Sequence, residues 1–238
     1  MFDLFRRGEP SPRQIQKTVK RLTEPHGEQG PRIEAAEKLS DWGTGEAIFG
    51  LVKRFTVSSR VITQDIEEKQ MVVNMLVRLG DAAVKPLLRF MKTNHQVDWP
   101  VRVLSRIVPQ EELSRHLVEA LRTVSLSEFS APEHRVSLLR AIQEHVTPEM
   151  AELLRGFLED PDDDVRIVAI EALVDVGLSE RQTLLEAFLT ADDRPRIRLK
   201  IADLFADREW AVKGFRPQIE ERLPDGFGLN AKGIIRRR

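Results

Sequence analysis

The chain has 238 residues, with 37 basic and 38 acidic side chains, a formal net charge of −1, 41% apolar residues, no Cys and no Tyr. That length buries a substantial core, as one large domain, two small ones or a repeat array. The missing Cys excludes disulfides, thiolate metal sites and cysteine nucleophiles, and the balanced charge by itself selects neither a polyanionic nor a polycationic partner.

Aromatics make up only 6%, which favours helices over a β-sandwich. The opening "MFDLFRRGEP" lacks the apolar core of a signal peptide, and no run of about 18 apolar residues occurs. The expectation is a cytoplasmic chain without a transmembrane segment. Phe2 and Phe5 could anchor in a partner groove or on a membrane surface, but a frayed terminus is the plainer reading. From Arg6 to Thr23 the bases Arg6, Arg7, Arg13, Lys17, Lys20 and Arg21 face Glu9 alone. Within this stretch "SPRQIQKTVKRLTEP" predicts a cap helix and linker over 11–30, with Ile15, Val19 and Leu22 turned inward.

A repeat comes next. Arg32 precedes Ala35, Ala36, Leu39 and Gly43, at offsets of 3, 4, 7 and 11 residues. Lys69 precedes Val72, Val73, Leu76 and Gly80 at the same offsets. Pro100 precedes Val103, Leu104 and Ile107; Arg135 precedes Leu138, Leu139 and Ile142. Arg166 precedes Ala169, Ile170, Leu173 and Gly177, and Arg198 precedes Ile201, Ala202 and Phe205. Any amphipathic helix meets part of this pattern. The starts, 31 to 37 residues apart, and the three glycines at one offset raise it above chance. The units at Pro100 and Arg198, like that at Arg135, lack the glycine. A second helix succeeds each first one, in "AIFGLVKRF", "VKPLLRFM", "SRHLVEAL", "MAELLRGFL" and "RQTLLEAFL". The expected fold is all-α, an α-solenoid of about six helical hairpins over 31–223, in a single array over 1–238. The longer connectors, Thr56 to Asp65 and Thr123 to Glu133, are natural places for partner contacts.

"DPDDDVRIVAIE", Asp160 to Glu171, spaces its carboxylates like a calcium loop. Such a loop needs Gly at its sixth position, where this chain has Val165, and "VRIVAIEAL" has the spacing of an amphipathic helix. Pro161 instead stops one helix, and Asp162 to Asp164 supply the cap and first-turn acids of the next. The wider segment from Glu144 to Asp164 holds eight acids against Arg155. Facing the basic ends of the chain, it suggests ordinary solvated surfaces or, alternatively, head-to-tail association or an acidic partner. The basic tail over 224–238, ending "GIIRRR", contains a potential hairpin turn at Asn230 to Gly233.

"DPDDDVRIVAIEALVDVG", and more loosely "PRIEAAEKLSDWGTGEAIFGLVKRF" and "LGDAAVKPLLRFM", resemble HEAT repeats, specifically the short bacterial type related to the phycobilisome-lyase class. The resemblance spans roughly Pro31 to Leu223. It implies an armadillo-like scaffold for protein–protein interaction, although some lyases and glycosylases are built on similar arrays.

No catalytic motif stands out. There is no G-x-S-x-G, Walker loop, G-x-G-x-x-G or H-E-x-x-H. The histidines, His26, His95, His116, His134 and His145, lack metal-ligand spacing and read as surface residues. No catalytic, cofactor or metal site is expected. The candidate partner-binding residues are Lys53, Arg54, Lys85, Arg89, Arg115 and Arg155, with Trp99 and Trp210 as aromatic anchors or interhelical fillers. Trp42 reads as core. The row Lys53, Arg89, Glu119, Arg155, Glu186 alternates in sign, unlike a phosphate-tracking groove. A non-catalytic scaffold for an unidentified protein partner is therefore the favoured reading. The alternatives are nucleic-acid binding through a basic patch of the N-terminal half and the tail, and a bilin-lyase-like or DNA-glycosylase-like enzyme.

Overall fold

The structure, a computed structural model, describes residues 9–125, 131–191 and 193–238. Phe2 and Phe5 lie outside the described residues. The chain divides into two compact units, Met1–His116 and Leu117–Arg238.

The first unit opens with α1 (Pro12–Leu22). Ser11 and Gln14 form a capping box: Ser11 N–H donates to Gln14 Oε1 at 2.8 Å, and Gln14 N–H donates to Ser11 Oγ at 3.3 Å. This satisfies amides that have no partner inside the helix, and Pro12 adds a preset φ in the first turn. Next come α2 (Gln29–Trp42) and α3 (Gly45–Val52), then α4 (Ile62–Leu79) and α5 (Val84–Met91). The unit continues through α6 (Asp98–Ile107) into α7 (Gln110–Ser125). The second unit contains α8 (Pro132–Ile142), α9 (Ala151–Gly156), α10 (Asp163–Val176) and α11 (Arg181–Thr190). It ends with α12 (Pro195–Asp207), α13 (Arg216–Arg222) and the strands β1 (Phe227–Leu229) and β2 (Ile235–Arg237).

Among the described residues, the helices after α1 therefore succeed one another as six pairs, α2–α3 to α12–α13, in an all-α repeat. The repeated apolar offsets are the core. Ala35, Ala36 and Leu39, Val72, Val73 and Leu76, and Leu138, Leu139 and Ile142 are all buried. So are Ala169, Ile170 and Leu173, and Ile201, Ala202 and Phe205. In the third pair Val103 and Leu104 are buried while Ile107 is half-exposed. The closing glycine has its predicted geometry: Gly43, Gly80 and Gly177 have φ of 60°, 53° and 115°. A side chain there would meet the left-handed backbone penalty.

Two features differ from expectation. Residues 57–61 form the first connector, because α4 starts at Ile62 and takes Asp65 into its first turn. Trp42 is half-exposed rather than core, with Lys38 Nζ 5.3 Å from its ring centroid. The 224–238 segment is an antiparallel hairpin pairing Phe227 with Arg237 and Leu229 with Ile235. Asn230 Oδ1 accepts from the amides of Lys232 and Ile234 at 2.9 and 3.0 Å and shapes its turn.

Candidate functional site

An open groove of about 710 Å³ in the first unit lies where α1 meets α3 and α5. Its close floor depends on Gly50: a Cβ there would lie 2.6 Å from Val19 Cγ2 and 3.4 Å from Leu39 Cδ2. The absent side chain lets α1 approach α3, and Ile15, Val19 and Phe49 line the result. Phe49 is half-buried, carrying Lys53 Nζ 5.2 Å and Arg89 Cζ 4.0 Å from its ring centroid. Cations at such distances are attracted to the aromatic face and held in place. Arg89 Nη1 also donates to Glu46 Oε1 at 2.7 Å, whereas Lys53 has no ion pair among the described residues. The site is thus an apolar slot with an anchored basic rim.

The same unit also holds a buried charge cluster. Arg32 donates from Nε and Nη2 to both oxygens of Glu68, at 2.9 and 2.7 Å. Arg54 donates to Glu68 Oε2 at 3.0 Å and to Asp65 Oδ1 at 2.7 Å, and Lys69 donates to Asp65 Oδ2 at 2.7 Å. Burial alone would raise the Glu68 carboxyl, but hydrogen bonds and charge from Arg32 and Arg54 hold it below its ordinary value. Burial likewise opposes ionisation of Asp65, and its bonds to Lys69, Arg54 and the Ser59 amide outweigh it. The cluster also fixes the 57–61 connector: Arg54 Nη1 donates to Val57 O at 2.9 Å, and Ser59 N–H to Asp65 Oδ1 at 2.9 Å. Held on this base, Val61, Ile62 and Ile66 stand 47%, 74% and 52% exposed. They form a second apolar surface, at a connector where partner contacts were expected.

The sequence-derived candidates scatter. Lys53 and Arg89 meet at the groove; Lys85 and Arg115 are exposed and do not line it. Arg54 is corrected from surface to interior, with 1% exposure and its guanidinium spent on Asp65, Glu68 and a carbonyl. Arg155, in the second unit, is exposed but engaged: Nε and Nη2 each donate at 2.7 Å to the buried Glu180. Those bonds hold the Glu180 carboxyl below its usual range. Trp99 stacks on Phe55 with centroids 5.9 Å apart, and Arg102 sits 5.0 Å from its ring. Trp210 is buried edge-on against Phe205 at 5.4 Å, so it fills an interior gap and is withdrawn as a surface anchor. Phe49 was missed; its signal is its place in "AIFGLV", one position outside the buried set Ala47, Ile48, Leu51, Val52.

The aspartates of "DPDDDVR" are structural. Asp162 accepts from the amides of Asp164 and Val165, at 2.9 and 3.1 Å, and caps α10. Asp160 reaches back to Arg135, its oxygens 2.9 and 3.1 Å from Nε and Nη2. Asp163 and Asp164 reach forward to Arg194 and Arg196. Further along, Glu171 pairs with Lys200, and Asp175 with Arg208 at 2.7 Å. Two of the three tail arginines are also engaged. Arg237 binds Asp203 and Asp207, each at 2.7 Å, and Arg236 binds Glu209 at 2.7 Å.

Consecutive helical pairs joined by side chains of the next pair define a helical repeat protein. Residues 114–205 match the family model described as HEAT repeats, so this part of the chain is a HEAT-repeat segment. No curated protein matches the chain. Among the described residues, no helix is long and apolar enough to cross a membrane.

Proposed function

We propose that the protein is a non-catalytic scaffold that holds a protein partner on the first unit. The groove at Phe49 carries this reading. A partner segment would place an apolar side chain against Ile15, Val19 and Phe49, and a carboxylate at Lys53. Lys53 is the complementary charge, because Arg89 already serves Glu46. Exposed apolar surface rimmed by polar groups is the usual mark of a docking site, and the HEAT-repeat segment supports a scaffold in general terms.

The test is affinity capture from native lysate with and without nuclease, comparing wild type with Phe49→Ser/Lys53→Glu. Circular dichroism confirms that both are folded. A stoichiometric partner retained by wild type and lost by the variant supports the groove. Capture that is identical for both proteins removes it, and partners that disappear with nuclease move the reading to nucleic acid.

A further inference from the structure

We propose that α1 is a nucleic-acid backbone-binding ridge, a function separate from the groove. No residue of α1, "PRQIQKTVKRL", is acidic. Arg13, Lys17, Lys20 and Arg21 are all exposed, and none has an ion pair among the described residues. Their spacing puts them on one face, spread over about 12 Å at 1.5 Å rise per residue. A duplex presents a phosphate charge about every 1.7 Å of its axis, so a ridge of this length lies alongside several. Two hollows of about 340 and 350 Å³ flank the ridge, and Lys17 and Arg21 line both. Gln14, Thr18 and Lys38 add polar groups on one side. Glu24, Glu28 and Glu34 stand in the walls without reaching ion-pair distance, and their charge weakens the favourable potential in the hollows relative to the exposed crest.

The chemistry selects the partner. Protein interfaces centre on apolar or aromatic anchors and are depleted in Lys, whereas the crest of this face offers cations and polar groups without an apolar anchor. A membrane-surface helix needs its apolar side free, but Leu22 is buried and Ile15 and Val19 line the floor between α1 and α3. Phosphate contacts by Arg, Lys, Thr and Gln need no such anchor. With no aromatic on the ridge to stack bases, binding is to duplex backbone and independent of sequence.

Fluorescence polarisation with mixed-sequence duplex DNA and duplex RNA tests this on the full chain. Four phosphate contacts predict a loss of affinity on the order of 100-fold between 50 and 200 mM salt. Lys17→Gln/Arg21→Gln should weaken binding and roughly halve the salt slope, with unchanged circular dichroism and melting. Lys232→Gln and Phe49→Ser should bind like wild type. The competing arms are a polyglutamate peptide and phosphatidylserine vesicles. Binding of either in place of duplex, no binding to any probe at 50 mM salt, or indifference to the double variant overturns the proposal.

Discussion

Arg32 grips Glu68 with two parallel hydrogen bonds, 2.9 and 2.7 Å long, joining α2 to α4 across 36 residues of sequence. Both side chains are buried, and Arg54, Asp65 and Lys69 complete the cluster. Glu68→Ala would leave Arg32 and Arg54 without this carboxylate, and a broken buried pair costs about 3–5 kcal/mol. The double change Arg32→Met/Glu68→Leu should cost less, because it removes charge from both sides. Urea unfolding of the three proteins checks the order; a milder loss for the single variant would contradict it.

Acid should act on the same place. Asp65 and Glu68 are held below their ordinary values in the folded chain. Their contribution is therefore complete above the unfolded carboxyl range, near pH 4, and is lost as the pH falls through the lower folded values. Melting temperature should drop as the pH falls below about 5, and Asp65→Asn/Glu68→Gln should flatten that drop. An equal slope in the variant would place the acid sensitivity elsewhere.

Gly50 sets the distance between α1 and α3. Gly50→Val drives new atoms into Val19 and Leu39, and overpacking of this kind costs about 1–3 kcal/mol. The same change should narrow the groove and reduce partner capture. A more stable protein would show that α1 can step aside at no cost.

The hairpin should protect the end of α12. Ile235 is fully buried, and Val212 N–H donates to Gly233 O at 2.8 Å. Removing 224–238 strips this cover, so the shortened chain should melt earlier and self-associate on size exclusion. Arg237→Ala alone touches only exposed pairs and should change the melting temperature little. A monomeric, equally stable truncation would mean that the hairpin covers nothing essential.

The sequence revealed the helical pairs because their offsets match the helical period, and the same periodicity selected the core. It did not reveal which charges were interior. Glu68 sits in "DIEEKQ" like any acid on a helix surface, and its partner lies 36 residues away. Arg54 was assigned to the surface beside Lys53 by continuing the helix. The chain instead tightens into a 3₁₀ turn over Lys53–Thr56, and Arg54 turns inward. The groove was half legible: Lys53 and Arg89 were selected, but the gap left by Gly50 depends on how closely α1 packs. The tail read as free charge because its acids sit on α12 or just past its end, as far as 34 residues earlier.

The ion pairs that link α10, α12 and the hairpin have a direction. Acids on α10 meet bases at and within α12, and acids on α12 meet Arg237 of β2. The strand thus presents to α12 the kind of edge that α12 presents to α10. A duplicated helical pair carrying a basic leading edge and an acidic trailing edge could be spliced between α12 and the hairpin without redesigning either neighbour. The α2–α4 junction has no such freedom, since its interlocked buried charges belong to that pair alone. Length in this chain is therefore negotiable at one end and fixed at the other.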